Sequence, residues 1–271
     1  MKNKIVIVSL ILFFFIIALG VYLMLPQEQT ELITVTTTNE AVAEHFESDL
    51  IVKTVRTVND IEDQPADNVS QAQEIVQEVT LEIPVKKILE VPFTSQAPYE
   101  DWSQPYQDAC EEASAIILAY YLSDQNLNKD IANEEILNLV DWQNSNFGDF
   151  KDTTAAKTAE MIEKYYGYKT KVAYDISIND IKLEIAKGNP VIIPAAGQLL
   201  GNRYFTPPGP VYHMLVVIGY DDDEIITNDP GTKRGAGYRY DYDVFYNAIH
   251  DWTGSYETIN EGRKAMIVVT K

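Results

Sequence analysis

The feature that most limits how this chain can fold is an uncharged run of 21 residues near its N-terminus, residues 5–25. An α-helix rises about 1.5 Å per residue, so a helix of this length spans about 30 Å, the thickness of a bilayer core. The run is longer than the apolar core of a cleaved signal peptide, about 7–15 residues, and no Ala-x-Ala-like site follows it. We therefore predict that residues 1–25 form an uncleaved transmembrane helix and that any globular domain lies after it.

The charges on either side of this run predict its orientation. Lys2 and Lys4 precede it, whereas the residues after it are acidic. Because positive charges stay on the cytoplasmic side, the N-terminus remains inside the cell and the rest is exported. We expect a single-pass protein of the cell membrane whose C-terminal domain is extracytoplasmic.

Residues 26–85 have the composition of a linker. They contain thirteen Asp and Glu, only Lys53 and Arg56 as cations, and no glycine. Such a stretch buries too little apolar surface to offset its conformational entropy, so we predict an acidic, disordered tether. Alternating Val and Ile at residues 50–58 and 75–83 leave local strands or helices, or a pro-segment, as alternatives.

Residues 86–271 are predicted to form one folded domain, because aromatic residues and apolar runs between turn signals become frequent there. The periodicity predicts helices over residues 110–122, 133–140, 153–166 and 179–186. It predicts strands over residues 88–93, 191–194, Tyr212–Tyr220, Glu224–Asn228 and Ala265–Thr270. A helical part followed by an antiparallel sheet indicates an α+β domain.

Charge and cysteine content exclude several classes of function. The net charge of -20 argues against a nucleic-acid partner, which needs a basic face. A single cysteine rules out an intrachain disulfide and a zinc site built on several thiolates. The acidic turn at residues 221–223 is interpreted as solvated, so no metal and no cofactor is predicted.

Cys110, the only cysteine, is the candidate nucleophile. It stands at the start of a predicted helix, where backbone N–H groups and the helix dipole are expected to lower the pKa of a thiol. Glu111 and Glu112 oppose thiolate formation, although acidic residues also suit the first turn of a helix. The alternative is that Cys110 is a small buried apolar residue.

His213 and Asp229 are the candidate partners of this thiol. Side chains alternate along a strand, and a turn centred on Asp222 puts Asp229 on the face of the sheet that carries His213. A carboxylate there can orient the imidazole. A register shift of one residue would bring Asn228 to that face instead, so either residue can be the third member. A hydrogen-bonded structural histidine is the alternative for His213.

Gln96 is the candidate oxyanion donor, fourteen residues before Cys110. A side-chain amide and the backbone N–H of Cys110 can both donate to a developing oxyanion. Alone, a glutamine after a predicted strand is an ordinary turn residue. Residues 197–210, rich in Gly and Pro, precede His213 and are interpreted either as a lid over a cleft or as a rigid connector.

Taken together these motifs resemble a known family. Val-Pro-Phe-x-Ser-Gln at residues 91–96, a cysteine at a helix start, a Tyr-His strand ending in Gly-Tyr-Asp, and Asn-Asp-Pro at residues 228–230 follow in that order. The pattern is similar to the bacteriocin-leader-processing cysteine peptidases (cysteine-peptidase family thirty-nine), and more closely to their stand-alone relatives in bacterial exported proteins. The resemblance implies a papain-like cysteine peptidase fold with Cys110, His213 and Asp229 as the triad and Gln96 at the oxyanion. The family often has Gly-Cys-Gly-Pro where this chain has Ala-Cys-Glu-Glu, and an acidic residue there can narrow the site or select substrates.

The function expected from these observations is a membrane-anchored extracytoplasmic cysteine peptidase that hydrolyses peptide bonds. Its partners would be a peptide or peptidoglycan-stem substrate and, through the N-terminal helix, the membrane. One alternative is a cell-wall amidase or acyltransferase with the same triad. Another is a catalytically inactive, anchored binding domain whose cleft is formed around Trp102, Tyr106 and Tyr204.

Overall fold

The computed structural model describes residues 30–36, 52–54 and 78–271. The predicted membrane helix lies outside these residues, and so does most of the predicted linker. Across the described ranges, no helix is both long and apolar enough to cross a bilayer. The anchor and the orientation therefore stay predictions.

The helices of the described residues lie mainly in the first half of the domain. Helices α1 to α5 span Cys110–Ser123, Lys129–Asn146, Ala155–Tyr166, Ile178–Ala186 and Tyr242–Ala248. Local signals set their ends: the Asn128 side chain caps α2, and Ser177 and Asp180 form a capping box at α4. Gly167 ends α3 with a φ of 77°, as its position in the sequence predicts. Each of the four predicted helices is confirmed, and α5 is additional.

The strands of the described residues form two antiparallel sheets. Strands β1 to β3, Thr30–Thr36, Val52–Thr54 and Glu78–Pro84, pair in the order β1-β3-β2. The strands of the larger sheet, numbered β4 to β10, are Lys87–Ile88, Lys169–Tyr174, Val191–Ala196, Tyr212–Tyr220, Glu224–Asn228, Tyr238–Asp241 and Ala265–Thr270. Their order in the sheet is β5-β10-β6-β7-β8-β9, with β4 paired to β7.

The predicted strands agree with the structure except at the start of the domain. Strands β7, β8 and β10 have the predicted bounds. The predicted strand over residues 88–93 is wrong, because only Lys87–Ile88 pairs and the chain then leaves the sheet. Helices and an antiparallel sheet in one domain confirm the α+β class.

Strand β3 joins the folded domain although it precedes residue 86. Ile83 is fully buried in the core, and the Tyr220 hydroxyl donates to the Pro84 carbonyl at 2.8 Å. Strands β2 and β3 coincide with the two Val/Ile alternations noted in the sequence. The rest of the predicted linker lies outside the described residues.

Strand β7 is the centre of the fold and separates two apolar cores. Tyr212, Met214 and Val216 belong to the core that contains residues of α1, α2 and α3. Leu215 and Val217 belong to the other core, which contains residues of α4 and α5. Since both faces are covered, all nine residues of β7 are buried, and the site at its start rests on a rigid strand.

A β-bulge at Ile218 sets the register between β7 and β8. A turn centred on Asp222 would pair Tyr220 with Glu224, but the structure pairs Tyr220 with Ile225. The extra residue at the bulge then restores the predicted register, so that Val216 pairs with Asn228. The next residue of the chain, Asp229, is thereby brought to the side of His213.

Candidate active site

Three of the four predicted site residues line one cavity of about 730 Å³. This volume is within the usual range for a ligand pocket. Cys110, His213 and Gln96 line it, from three separate parts of the chain. The other lining residues include charged and aromatic side chains, among them Glu100, Trp102, Asp108, Asp152, Tyr204, Phe205, Lys233 and Tyr256.

Cys110 is the first residue of α1 and is 7% exposed. Its thiol donates a hydrogen bond to Oε2 of Glu111, with 3.0 Å between sulfur and oxygen. Burial and the adjacent Glu111 raise the pKa of the Cys110 thiol well above its usual value, although a hydrogen bond from the backbone N–H of Met214 acts in the opposite direction. The expectation of a lowered thiol pKa from the helix start is therefore wrong for the substrate-free protein.

Glu111 is buried against the nucleophile, with 1% of its surface exposed. Its Oε1 accepts a hydrogen bond from the backbone N–H of Thr153 at 2.8 Å, while Oε2 accepts from the thiol. Burial raises the pKa of Glu111 to about 7. Its acidic side chain is visible in the sequence, but its burial follows from the packing of α1 between the sheet and the other helices.

Glu112 is also buried, but it faces away from the cavity toward α2. Its Oε1 accepts a hydrogen bond from the side-chain amide of Gln143, and its Oε2 has no partner among the described residues. Burial raises the pKa of Glu112 well above its usual value, and the adjacent Glu111 acts in the same direction. The side chain of the residue before α1, Ala109, provides no cap.

His213 and Asp229 form a buried hydrogen-bonded pair. The imidazole Nε2–H donates to Oδ1 of Asp229 at 2.8 Å, and the two side chains are almost fully buried. Burial raises the pKa of Asp229, but His213 together with hydrogen bonds from Tyr240 and Gly231 outweighs it and holds the pKa below its usual value. Asp229 is therefore an ionised carboxylate oriented toward the imidazole.

Two further side chains hold Asp229 from the other side. The Tyr240 hydroxyl donates to its Oδ2 at 2.5 Å, and the Asn202 amide donates to the same oxygen at 2.9 Å. The backbone N–H of Gly231 donates to Oδ1 at 2.9 Å. Tyr240 comes from β9 and Asn202 from the loop before β7, so no local sequence pattern relates them to Asp229.

Asn228, the alternative third member, makes other contacts. Its amide donates to the carbonyl oxygens of Val91 and Pro92 at 3.1 and 2.9 Å, and its Oδ1 accepts from the N–H of Gly237. These bonds fix the segment that leads to Gln96 against β8. The geometry thus brings Asp229, and not Asn228, to His213.

Gln96 lies beside the cavity with its amide turned to the protein. Its Nε2 donates to the carbonyl oxygens of Tyr106 and Gln107 at 2.9 and 3.0 Å. Its backbone N–H donates to the Pro230 carbonyl at 2.9 Å, next to Asp229. Two acceptors engage the amide group of Gln96 in the substrate-free protein, so an oxyanion would have to replace one of them.

Residues 197–210 form a wall of the cavity. Phe205 packs its ring edge-on against His213, with 5.4 Å between the ring centroids, and Asn202 is buried against Asp229. A Cβ on Gly231 would lie 2.8 Å from both Phe205 and His213, so glycine is needed for this close approach. Buried contacts of this kind favour the rigid connector over the lid.

The aromatic residues expected around a cleft are divided by the fold. Trp102 and Tyr204 line the cavity. The Tyr106 hydroxyl instead donates to Oδ1 of Asn133 at 2.6 Å, on α2. Asp221, the first residue of the acidic turn interpreted as solvated, is paired with Arg239. Within the described part of the chain, no group of three or more His, Cys, Asp or Glu side chains could hold a metal ion.

Comparisons with known proteins identify a family to which the chain is similar. The model of the Peptidase_C39 like family matches residues 88–261. One of the solved structures similar to the chain is a crystal structure of a C39-like peptidase from Bacillus anthracis, with 19% sequence identity and a TM-score of 0.45. That likeness covers 69% of this chain and 98% of the other. No curated protein matches the chain.

Proposed function

The chain belongs to the Peptidase_C39 like family, and from this premise we propose that it is a papain-like cysteine peptidase with Cys110, His213 and Asp229 as its catalytic triad. The observation that carries the proposal is the buried His213–Asp229 pair at a cavity that Cys110 also lines. A nucleophile, a base and a carboxylate that orients the base are the groups that acyl transfer through a thiol needs.

Each member of the triad has a definite task. The thiol proton of Cys110 passes to the imidazole nitrogen that Asp229 does not engage, and the sulfur attacks the peptide carbonyl carbon. The resulting imidazolium of His213 donates its proton to the leaving amine, and water then releases the acyl group from sulfur. Asp229 keeps the imidazole in one tautomer and stabilises its charged form.

The oxyanion is proposed to form near the start of α1. The backbone N–H of Cys110 is in the first turn, where N–H groups have no partner within the helix. Gln96 is the proposed second donor, and it would exchange a carbonyl partner, Tyr106 or Gln107, for the oxyanion. Its contribution is therefore expected only with substrate bound.

The proposed setting is the outer face of the cell membrane. The uncharged residues 5–25 support a single-pass anchor with the peptidase domain outside. The substrate would be an extracytoplasmic peptide or a peptidoglycan stem peptide. A cell-wall amidase or acyltransferase would use the same three residues on a different acyl group.

Turnover assays with two substrate classes test this function. The detergent-solubilised full chain and its Cys110→Ala variant are offered casein-derived peptides and purified muropeptides, at about pH 6 and about pH 8. We expect peptide hydrolysis that falls by about 1,000-fold or more in the variant, because the covalent step is lost. The released products are measured by mass spectrometry.

The same assay separates the alternatives. Cys110-dependent cleavage of muropeptides alone would favour the amidase. If neither substrate shows turnover that depends on Cys110, the anchored binding domain becomes the better explanation and the peptidase proposal is rejected.

A further inference from the structure

A carboxyl group outside the proposed triad contacts the reacting sulfur. Oε2 of Glu111 accepts the hydrogen bond from the Cys110 thiol at 3.0 Å, and Oε1 is held by the Thr153 N–H at 2.8 Å. Both oxygens are thus occupied, and the side chain is buried. Glu111 is held by hydrogen bonds at both oxygens, and it contacts the nucleophile directly.

The loop that holds Glu111 is itself anchored in the site. The Tyr212 hydroxyl donates to the Thr153 carbonyl at 2.7 Å, and the hydroxyl groups of Thr153 and Thr158 are hydrogen-bonded to each other at 2.7 Å. Tyr212, which precedes His213 on β7, therefore fixes Thr153, the residue whose N–H donates to the Glu111 carboxyl. The contact between Glu111 and Cys110 follows from this packing and not from a flexible surface side chain.

The titratable groups that interact with Glu111 carry a negative charge when ionised. They come from α1, the loop before α3, β7 and the segment after α5: Cys110, Glu112, Asp152, Tyr212 and Tyr256. Lys151, the residue before Asp152, pairs with Asp108 at 3.1 Å. Burial, aided by Asp152, raises the pKa of Glu111 to about 7, so its charge changes in the neutral range.

We propose that Glu111 is a further catalytic residue, which sets the protonation state of the Cys110 sulfur. When ionised, it accepts the S–H hydrogen bond and keeps the sulfur as a thiol. When protonated, it turns its own O–H to the sulfur and stabilises the thiolate. The inference rests on the proposed function, in which Cys110 is the nucleophile.

The protons balance in a simple way. As the pH falls, the Glu111 carboxyl takes one proton from solvent and keeps it. The thiol proton of Cys110 passes to His213, which gives a thiolate and an imidazolium, and the negative charge beside the sulfur is gone. Two adjacent negative charges in a buried site are thereby avoided. The nucleophile is then most reactive on the acidic side of neutrality.

Alkylation of Cys110 by iodoacetamide tests this inference without any substrate. The detergent-solubilised full chain has no other cysteine, so mass spectrometry reports on this sulfur alone. In the Glu111→Gln variant the amide can accept from Thr153 N–H and donate to the sulfur, but it carries no charge. We expect the variant to be alkylated about 10-fold faster than the wild type at about pH 8, since one unit of thiol pKa corresponds to that factor. An equal or slower rate in a folded variant would overturn the inference.

Glu112→Gln is the matched control. It changes the same side chain to the same amide, one residue further along α1, where the carboxyl accepts a hydrogen bond from Gln143 and not from the thiol. We expect its alkylation rate to stay within about twofold of the wild type. If both variants accelerate alkylation equally, the effect belongs to the helix N-terminus as a whole and the role given to Glu111 is wrong.

The wild-type protein provides a second test, in case the Glu111→Gln variant does not fold. The alkylation rate of Cys110, divided by that of a free-thiol peptide at the same pH, should fall at least about 10-fold from about pH 5.5 to about pH 8.5. A constant or rising ratio contradicts the inference.

Because alkylation needs no turnover, a faster Glu111→Gln reaction in a protein that cleaves neither substrate would uphold the role of Glu111 in thiol protonation and reject only the peptidase. Turnover in a protein whose alkylation rate is unchanged by Glu111→Gln would support the peptidase and reject the role of Glu111.

Discussion

At the scale of single residues, the site depends on hydrogen bonds to one carboxylate. Asp229 accepts from His213, Tyr240, Asn202 and the N–H of Gly231. A buried carboxylate that is fully hydrogen-bonded stays ionised and keeps one orientation. Neither Tyr240 nor Asn202 lines the cavity, and both contact Asp229, so they are positioning residues whose effect passes through that carboxylate.

Removing the Tyr240 hydroxyl should therefore lower turnover without weakening substrate binding. In Tyr240→Phe we expect kcat to fall about 10-fold, or about 1.4 kcal/mol, with KM nearly unchanged. Steady-state kinetics on the peptide substrate found in the turnover assay measure both constants. Tyr238→Phe is the control, because its ring packs against Tyr240 while the hydrogen bonds recorded for Asp229 do not involve it. A change confined to KM would contradict the positioning role.

Which residues form the site could be predicted from the sequence more fully than the contacts that their side chains make. Cys110, His213 and Asp229 stand out as residue types at a helix start, in an apolar strand and after a turn, and the fold brings all three to one region. The thiol pKa could not be predicted, because the helix start is a local feature whereas burial of Glu111 depends on the loop at Thr153. Tyr240 was outside any predicted element and gave no signal of its contact with Asp229.

At the scale of elements, helix α1 is unusual because residues on all of its faces are buried over most of its length. Its first ten residues are buried, including Glu111, Glu112 and Ser114. Glu112 reaches α2, where Gln143 donates to it, so the two helices share a polar contact inside an apolar interface. The Oε2 atom of Glu112 and the Oε1 atom of Gln143 have no hydrogen-bond partner among the described residues. Burying these two atoms therefore costs desolvation free energy that no hydrogen bond offsets.

Substitutions at this contact should be non-additive. Glu112→Leu alone leaves the Gln143 amide buried without its acceptor, and we expect a loss of about 1–3 kcal/mol in the free energy of unfolding. Adding Gln143→Leu removes the unpaired amide, and the double variant should return to within about 1 kcal/mol of the wild type. Urea unfolding of the full chain in detergent measures all three proteins. A double variant less stable than Glu112→Leu would refute this account of the contact.

Elements with strong periodicity were predictable, and short ones at the edge of the domain were not. The predicted bounds of β7 and β8 are confirmed because β7 is a long, largely apolar run and β8 follows it directly after the acidic turn. Strands β5 and β9 and helix α5 were missed. Both strands have exposed polar residues at alternate positions, and α5 has only seven residues. Such segments obtain their conformation from the sheet they join and not from their own propensity.

At the scale of the whole molecule, the folded domain begins earlier than the composition indicates. Acidic composition predicts a linker through residue 85, but Ile83 is buried at 0% exposure and belongs to the core beside α4 and β7. Average composition hides a short apolar segment at the end of an acidic stretch. Only the pairing of residues far apart in sequence identifies such a segment as part of the core.

Ile83→Ala should therefore destabilise the domain although the residue stands in the predicted linker. Removing a buried isoleucine side chain costs about 2–5 kcal/mol. Ile88→Ala is the control, because Ile88 is 56% exposed and its truncation should cost less than about 0.5 kcal/mol. Thermal or urea unfolding of the two full-chain variants provides the comparison, and equal stabilities would place residue 83 outside the core.

The bulge at Ile218 has a consequence for how the chain can change in length. Between Tyr220 and the bulge, β7 and β8 keep one register, and beyond the bulge they keep another that brings Asp229 to His213. The tip of this hairpin, Asp222 and Asp223, is exposed and lies on the far side of the bulge from the triad. We therefore expect a tag or a reporter loop inserted at this tip to leave the imidazole and its carboxylate aligned.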